Sequence, residues 1–422
     1  MTRIPTRSWE LAQRPPHVAT TVHLRAAYPF LAEPGLGGHG VYIGRDAYGA
    51  AFAFDPFELY ERGLISGPNV VVAGSIGYGK SSLVKSFMAR STLFARRPIF
   101  LDPKGEYAPL AEAMGWSVVA LQPGGSARLN PLTSRGGAEG QLQALAAVTA
   151  AAIGRTLTPE EDAACTEALR AVCDREPGGE PTLPDVVEAL LHPSSDVAQR
   201  MAMEVDQLVD ATRSAALALA RLCEGALAGM FDGPTTTGVD LDGPGLVLDL
   251  SAMYDSAALG ILMACAQGWL RAQIIAAAKS NASVKRYVVV DEAWRIFAVP
   301  GVGEWLQDSF KHSRAYGVSN WLVMHKLADM GAAGDTGSRT AKLVEGLLGD
   351  SETRILLRQP ADVASSTRDA LTLTDTETEL LPGLRKGEHL WKVGERSFLI
   401  RHRLSGWEHR LVDTDSRMRA VA

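Results

Sequence analysis

Residues 70–82 read Val-Val-Val-Ala-Gly-Ser-Ile-Gly-Tyr-Gly-Lys-Ser-Ser, an apolar strand running into a Gly-x-x-x-x-Gly-Lys-Ser loop. A helical pattern follows from Leu83 to Ala95. Gly74, Gly77 and Gly79 allow a tight backbone turn that points consecutive N–H groups inward, toward phosphate oxygens. The N-terminus of the following helix adds partial positive charge. Lys80 has the reach to meet β- and γ-phosphates, and the Ser81 hydroxyl suits Mg²⁺. Ser75, Tyr78 and Ser82 complete the expected nucleotide-binding loop. An ordinary glycine turn would not explain why Lys-Ser follows the last glycine. The cofactors implied are ATP and Mg²⁺.

Short apolar runs recur at 69–73, 98–102, 117–121, 245–249, 287–291 and 320–324, each bounded by Gly, Pro or charge. They read as buried parallel strands, and helical patterns lie between most of them. The fold class expected is therefore α/β, with a central, mostly parallel sheet. Val41–Ile43 and Ala51–Phe54 predict a small hairpin, and Arg354–Leu357, His389–Val393 and Ser397–Arg401 predict further short strands. From about Gly140 to Gly229 the chain is rich in Ala, Leu and Glu and carries little strand signal. There Thr158-Pro-Glu-Glu has the form of a helix start, with Thr158 as cap and Glu161 three residues on. The organisation expected is an N-terminal extension over 1–65, a first core part over 66–135, an all-α insert over 136–230, and a second core part over 231–422.

A net charge of −6 over 422 residues provides no global basic field for nucleic acid, so any DNA contact must come from a local patch or a pore built by several subunits. Cys165, Cys173, Cys223 and Cys265 are far apart and form no Cys-x-x-Cys pair. They predict buried thiols in a reducing compartment rather than a zinc site or disulfide frame. Residues 1–20 contain no apolar run and so read as no secretory signal. The stretch Ala257–Ala278 is interrupted by Gln267, Arg271 and Gln273, which predicts a core helix rather than a membrane span.

A second constellation is Arg286-Tyr-Val-Val-Val-Asp-Glu-Ala-Trp294, a hydrophobic strand that ends in two acids. Beside a phosphate loop, Asp291 would hold Mg²⁺ through water, and Glu292 would orient and deprotonate the attacking water. A third is Phe100-Leu-Asp-Pro-Lys-Gly-Glu-Tyr107, whose Asp102 or Glu106 either touches Mg²⁺ or water or simply builds a turn. The fourth is Trp321-Leu-Val-Met-His325, where His325 is either a γ-phosphate sensor or a strand-end surface residue.

Together these clusters resemble a conjugative or type IV secretion ATPase of the TraC-like class, in the HerA–FtsK superfamily of P-loop ATPases. Leu129-Asn-Pro-Leu132, Met230-Phe-Asp-Gly-Pro234 and Leu411-Val-Asp-Thr-Asp415 add to the resemblance, which spans roughly Gly35 to Arg417. It implies a RecA-like ATPase core with an all-α insert, assembled as a hexameric ring at a membrane export channel. The partners implied are further copies of the chain, membrane-embedded channel components, and single- or double-stranded DNA or a relaxase–DNA substrate. The location implied is cytoplasmic, peripheral at the inner face of the cell membrane. The resemblance also implies an arginine supplied by a neighbouring subunit, with Arg314 the first candidate and Arg354 the second. Members of the class usually carry a long N-terminal domain, where residues 1–65 precede the core here. They usually have a Gln at the position of His325. Two further readings stay open: a HerA-like DNA-translocating ATPase or helicase, and a nucleotide-switched assembly scaffold.

Overall fold

The computed structural model describes residues 35–175, 178–225, 227–236, 239, 241–256, 258–280, 284–297, 299, 302–325 and 346–412. The N-terminal extension before Gly35 and the last three residues of Leu411–Asp415 lie outside the described residues. In chain order the first elements are β1 (Val41–Asp46), β2 (Ala51–Phe54), α1 (Pro56–Glu61), β3 (Val70–Ala73) and α2 (Lys80–Ser91). Then come β4 (Arg97–Asp102), α3 (Ala108–Met114) and β5 (Ser117–Ala120). A helical series follows: α4 (Gly137–Ile153), α5 (Pro159–Arg175), α6 (Leu183–Leu191), α7 (Ser195–Arg200) and α8 (Val205–Glu224). Next are β6 (Leu246–Asp249), α9 (Leu259–Ser280), β7 (Arg286–Val290), α10 (Trp294–Phe297), α11 (Val302–Lys311) and β8 (Val318–Met324). The chain closes with β9 (Thr353–Leu356), α12 (Ala361–Leu371), α13 (Asp375–Leu380), β10 (Glu388–Val393), β11 (Arg396–His402) and α14 (Gly406–Val412).

The chain divides into two compact units. The first takes residues 35–94, His325 and 351–412. Its strands lie in the order β2-β1-β11-β10-β9-β3. Only β3 and β9 pair in parallel; the others pair antiparallel. The core of this unit is aromatic. Phe52 packs on Trp391 and Phe398 with ring centroids 5.3 and 5.2 Å apart, and Phe54 meets Trp391 edge-on at 5.1 Å. These offset and edge arrangements suit the ring quadrupoles.

The second unit takes residues 95–324 and 346–350 among those described. Its five strands are all parallel, in the order β8-β7-β4-β6-β5. β4, β7 and β8 are almost wholly buried, as expected of strands covered by helices on both faces. Between β5 and β6 the described residues contain helices and no strand. Thr158 and Glu161 close a reciprocal capping box at the start of α5, their side chains each meeting the other's backbone N–H at 3.2 and 2.9 Å. Arg155 grips the Glu161 carboxylate with two bonds of 2.7 and 2.8 Å.

The expected strands are found within two residues at every boundary but one: β1 runs on to Asp46, three residues past the expected end at Ile43. The helix after the phosphate loop departs more. It runs over Lys80–Ser91 rather than Leu83–Ala95. Gly79, at φ +101°, serves as its N-cap, so Lys80 is already the first helical residue. Ala95 has φ +55° and cannot continue a right-handed helix. The stretch read as a core helix is α9. By length and composition it could cross a membrane, but its most apolar window is 72% buried inside the fold. All four cysteines are free. The expectation of buried thiols holds for Cys165 and Cys265, whereas Cys173 and Cys223 are half-exposed.

Candidate active site

In the first unit, β3 delivers Ala73 into the glycine loop. An added Cβ on Gly74 would sit 2.6 Å from Leu357 Cβ, so only glycine lets the loop leave the sheet this close to the chain following β9. Leu357 N–H donates to Ala73 O and Ser75 N–H to Arg358 O, each at 2.8 Å. The loop then turns through Gly77 at φ +83° and Gly79 at φ +101°. Helix α2 starts at once, with Lys80, Ser81 and Ser82 in its first turn. Backbone N–H groups at a helix start, with the dipole behind them, form an anion site. Lys80 is buried, and its ammonium donates to the loop's own carbonyls, Gly74 O at 2.5 Å and Ser75 O at 3.0 Å. The cation is thus kept inside the loop's mouth. Tyr78 O accepts from Gly387 N–H at 3.4 Å, and Arg358 bonds the Tyr78 hydroxyl while lying 5.1 Å over its ring. Sequence reasoning missed this last pairing, because Arg358 reaches the loop only through the β3–β9 register.

In the second unit, β7 ends at Val290 and places Asp291 and Glu292 at the carboxyl edge of a parallel sheet, the edge where such folds collect ligands. Asp291 is buried. Its carboxylate accepts from Glu292 N–H at 2.9 Å and from the Tyr107 hydroxyl at 3.3 Å. Burial, then the neighbouring Glu292 charge, push the Asp291 carboxyl up to about 6. Glu292 stands at φ +50°, a strained conformation for a residue with a side chain. Its carboxylate is buried, takes the Trp294 indole N–H at 2.5 Å, and is ion-paired with Lys104. Lys104 is raised above its ordinary value: the bond to Glu292 and the nearby charges of Asp291 and Glu106 outweigh its burial. Burial of the Tyr107 hydroxyl beside these carboxylates raises it well above the usual phenol range.

Asp102 resolves the choice left open for it. Its two oxygens accept from Lys104 N–H at 3.1 Å and Tyr107 N–H at 2.8 Å, so it builds the turn after β4. Burial raises its carboxyl to about 6 despite those bonds. Glu106 differs, because its Oε2 is buried with no hydrogen-bond partner. Asp291 and Glu106 bring carboxylate oxygens of the kind a hard divalent cation takes, but the Lys104 ammonium opposes a cation there, and among the described residues no group of three or more His, Cys, Asp or Glu side chains is placed to hold a metal ion. His325 follows β8 directly and is half-buried. Arg314 is exposed in the turn before β8. β7 and β8 are parallel with Arg286 opposite Val318 and Val290 opposite Leu322, so Arg314 sits at the strand-start edge and Glu292 at the other. Those four residue steps span roughly 13 Å. Arg354, the second finger candidate, is committed within its own unit: its guanidinium donates to Ser351 O at 3.1 Å and Leu371 O at 2.9 Å.

No protein-family model and no curated protein matches the chain. Solved structures do. VirB4 of Thermoanaerobacter pseudethanolicus is 22% identical, with a TM-score of 0.72 over 88% of this chain and 99% of that one. The bacterial conjugative coupling protein TrwB, lacking its first 70 residues and in complex with sulphate, is 12% identical, with a TM-score of 0.58 over 80% of this chain and 86% of that one. The plasmid coupling protein TrwB in complex with ADP and Mg²⁺ is 13% identical, with a TM-score of 0.54 over the same shares. The five parallel strands of the second unit, the glycine loop at the start of α2 and these superpositions give one result: the chain has the RecA-like P-loop fold shared by VirB4 and TrwB.

Proposed function

We propose that the chain is a Mg²⁺-dependent ATPase that serves as the motor of a conjugative or type IV-like secretion system. The observation that carries this reading is the loop itself: two left-handed glycines, a helix starting at Lys80, and a buried ammonium held at the mouth. In this reading Gly74, Ser75, Gly77, Tyr78, Gly79, Lys80, Ser81 and Ser82 hold the ATP phosphates, and Lys80 leaves the Gly74 and Ser75 carbonyls for phosphate oxygens. Ser81 and Asp291 hold Mg²⁺, which when bound neutralises phosphate charge. Glu292 takes a proton from the attacking water, Arg314 of a neighbouring copy steadies the transferred charge, and His325 senses the γ-phosphate. TrwB complexes with ADP and Mg²⁺, with ADPNP and with sulphate support ATP as the ligand class.

The conjugative assignment is supported by the likeness to TrwB, a conjugative coupling protein, together with the TraC-like motif order. On this reading the chain comprises an N-terminal extension over 1–65 and a core over 66–135 and 231–422 with an all-α insert over 136–230. It forms hexamers at the inner face of the cell membrane, engages channel components, and acts on DNA or a relaxase–DNA substrate. The test is a pair of substitutions. Lys80→Ala should abolish ATP binding and turnover. Glu292→Gln should keep ATP bound while turnover falls by about 10²–10⁴-fold. Wild-type turnover in Glu292→Gln would remove the base assignment, and full ATP affinity in Lys80→Ala would remove the loop assignment.

A further inference from the structure

The turn after β4 brings a lysine onto the Glu292 carboxylate, and none of the roles above uses it. β4 and β7 are neighbours in parallel register, with Leu101 opposite Val290, so the residues just past the two strand ends lie at matching heights. Lys104 is two residues past β4, and Glu292 two past β7. The turn carrying Lys104 is stiff. The two Asp102 oxygens hold the Lys104 and Tyr107 N–H groups, and Gly105 takes φ +68° against Ser251. On the far side of the pair, the Trp294 indole N–H fixes the second Glu292 oxygen at 2.5 Å. Each carboxylate oxygen therefore has its own donor, one ammonium and one indole, and the plane of the group is set.

We infer that Lys104 is a positioning residue for Glu292, holding its carboxylate in working orientation through an ion pair on which turnover depends. The inference rests on the reading of Glu292 as the base. A left-handed Glu at φ +50° is strained and needs constraint from its surroundings. Here the Lys104 and Trp294 donors supply that constraint, and the Glu292 side chain is 3% exposed while Lys104 is 23% exposed. Lys104 also brings a positive charge to a place where Asp291, Glu292 and Glu106 bring three negative ones. A largely buried pair of this kind is screened less by water and salt than a solvent-exposed one.

The experiment measures steady-state ATP hydrolysis by the full chain with Mg²⁺. Lys104→Met should lower kcat by about 10- to 100-fold, the range seen when a group that orients a reactive ligand is removed. The KM for ATP should stay within about threefold, since no nucleotide-holding group is touched. Lys104→Arg should restore most of the loss. Where Lys104→Met does not fold, Lys104→Gln carries the same expectation. The decisive arm is the double variant. If Lys104 acts through Glu292, adding Lys104→Met to Glu292→Gln costs nothing further. A full additional loss in that background overturns the inference while leaving Glu292 as the base. So does a loss expressed in KM alone, or unchanged turnover in Lys104→Met. Wild-type turnover in Glu292→Gln alone overturns the base reading and the inference with it.

Discussion

At the scale of single residues, the acid end of β7 is costly to fold. Burial and neighbouring negative charge lift Asp291 to about 6 from an ordinary 3.8, and burial lifts Asp102 to about the same value. The folded chain therefore keeps protons that the unfolded chain has already released. Between about pH 4 and 6 the folded state binds more protons, so these two groups lower stability as pH rises through that window and exert their full penalty above it. Asp291→Asn removes one of them. Nucleotide-free Asp291→Asn should be more stable than wild type by about 1–3 kcal/mol at pH 7.5, with the gain vanishing near pH 4. Urea midpoints at the two pH values check this, and an equal shift at both would rule out the electrostatic cause. The loop and the Asp291–Glu292 pair were legible in the sequence because each is defined by a few consecutive residues. Lys104 stood in plain view within Asp-Pro-Lys-Gly-Glu, yet its partner was not legible, because the pairing exists only once β4 lies beside β7.

At the scale of elements, one arginine ties down the far end of the phosphate-loop helix. Arg90, in the last turn of α2, forks onto Glu408 of α14 with bonds of 2.6 and 2.7 Å. Its remaining donors meet Tyr42 O of β1 at 2.5 Å and Arg403 O after β11 at 2.6 Å. Lysine cannot reproduce a planar fork with five donors. Arg90→Lys should destabilise the chain by about 1–3 kcal/mol, since Glu408 is left buried and poorly paired. The Arg90 bonds hold the Glu408 carboxyl below the usual range against its burial. Their stabilisation is present above the ordinary Glu value and lost as pH falls through the lowered one, so the difference between Arg90→Lys and wild type should shrink in acid. A smaller local test is Thr158→Ala, which removes one half of the α5 capping box and should cost about 1 kcal/mol. Chemical denaturation reads both. The strands were legible because buried parallel strands are nearly uninterrupted runs of Val, Ile and Leu, as in Val70–Val72 and Val288–Val290. The start of α2 was not, since apolar periodicity begins only at Leu83 whereas the helix begins where Gly79 adopts a conformation that periodicity does not report.

At the scale of the whole molecule, the proposed motor depends on where Arg314 lies. It is exposed, and it sits at the strand-start edge of the sheet, some four residue steps of β7 and β8 away from Glu292. That span, roughly 13 Å along the strands, is longer than an arginine side chain can cross beside buried backbone. Arg314 therefore has no route to the acid pair of its own chain, and a catalytic role for it requires a second copy. In a closed ring with head-to-tail contacts, each interface takes its loop from one subunit and its arginine from the next. Lys80→Ala and Arg314→Ala chains, each inactive alone, are then complementary. In an equimolar mixture that exchanges subunits, about a quarter of the interfaces join an intact Lys80 to an intact Arg314, and activity should return toward that fraction of wild type. The rings should be visible in a mass measurement with ATP, Mg²⁺ and DNA. If DNA lies in the ring, its stimulation of turnover should fall steeply with added salt. An Arg314→Ala chain that turns over ATP at the wild-type rate, or a mixture inactive at every ratio while rings are present, would remove Arg314 from the active site and return it to the exposed turn before β8.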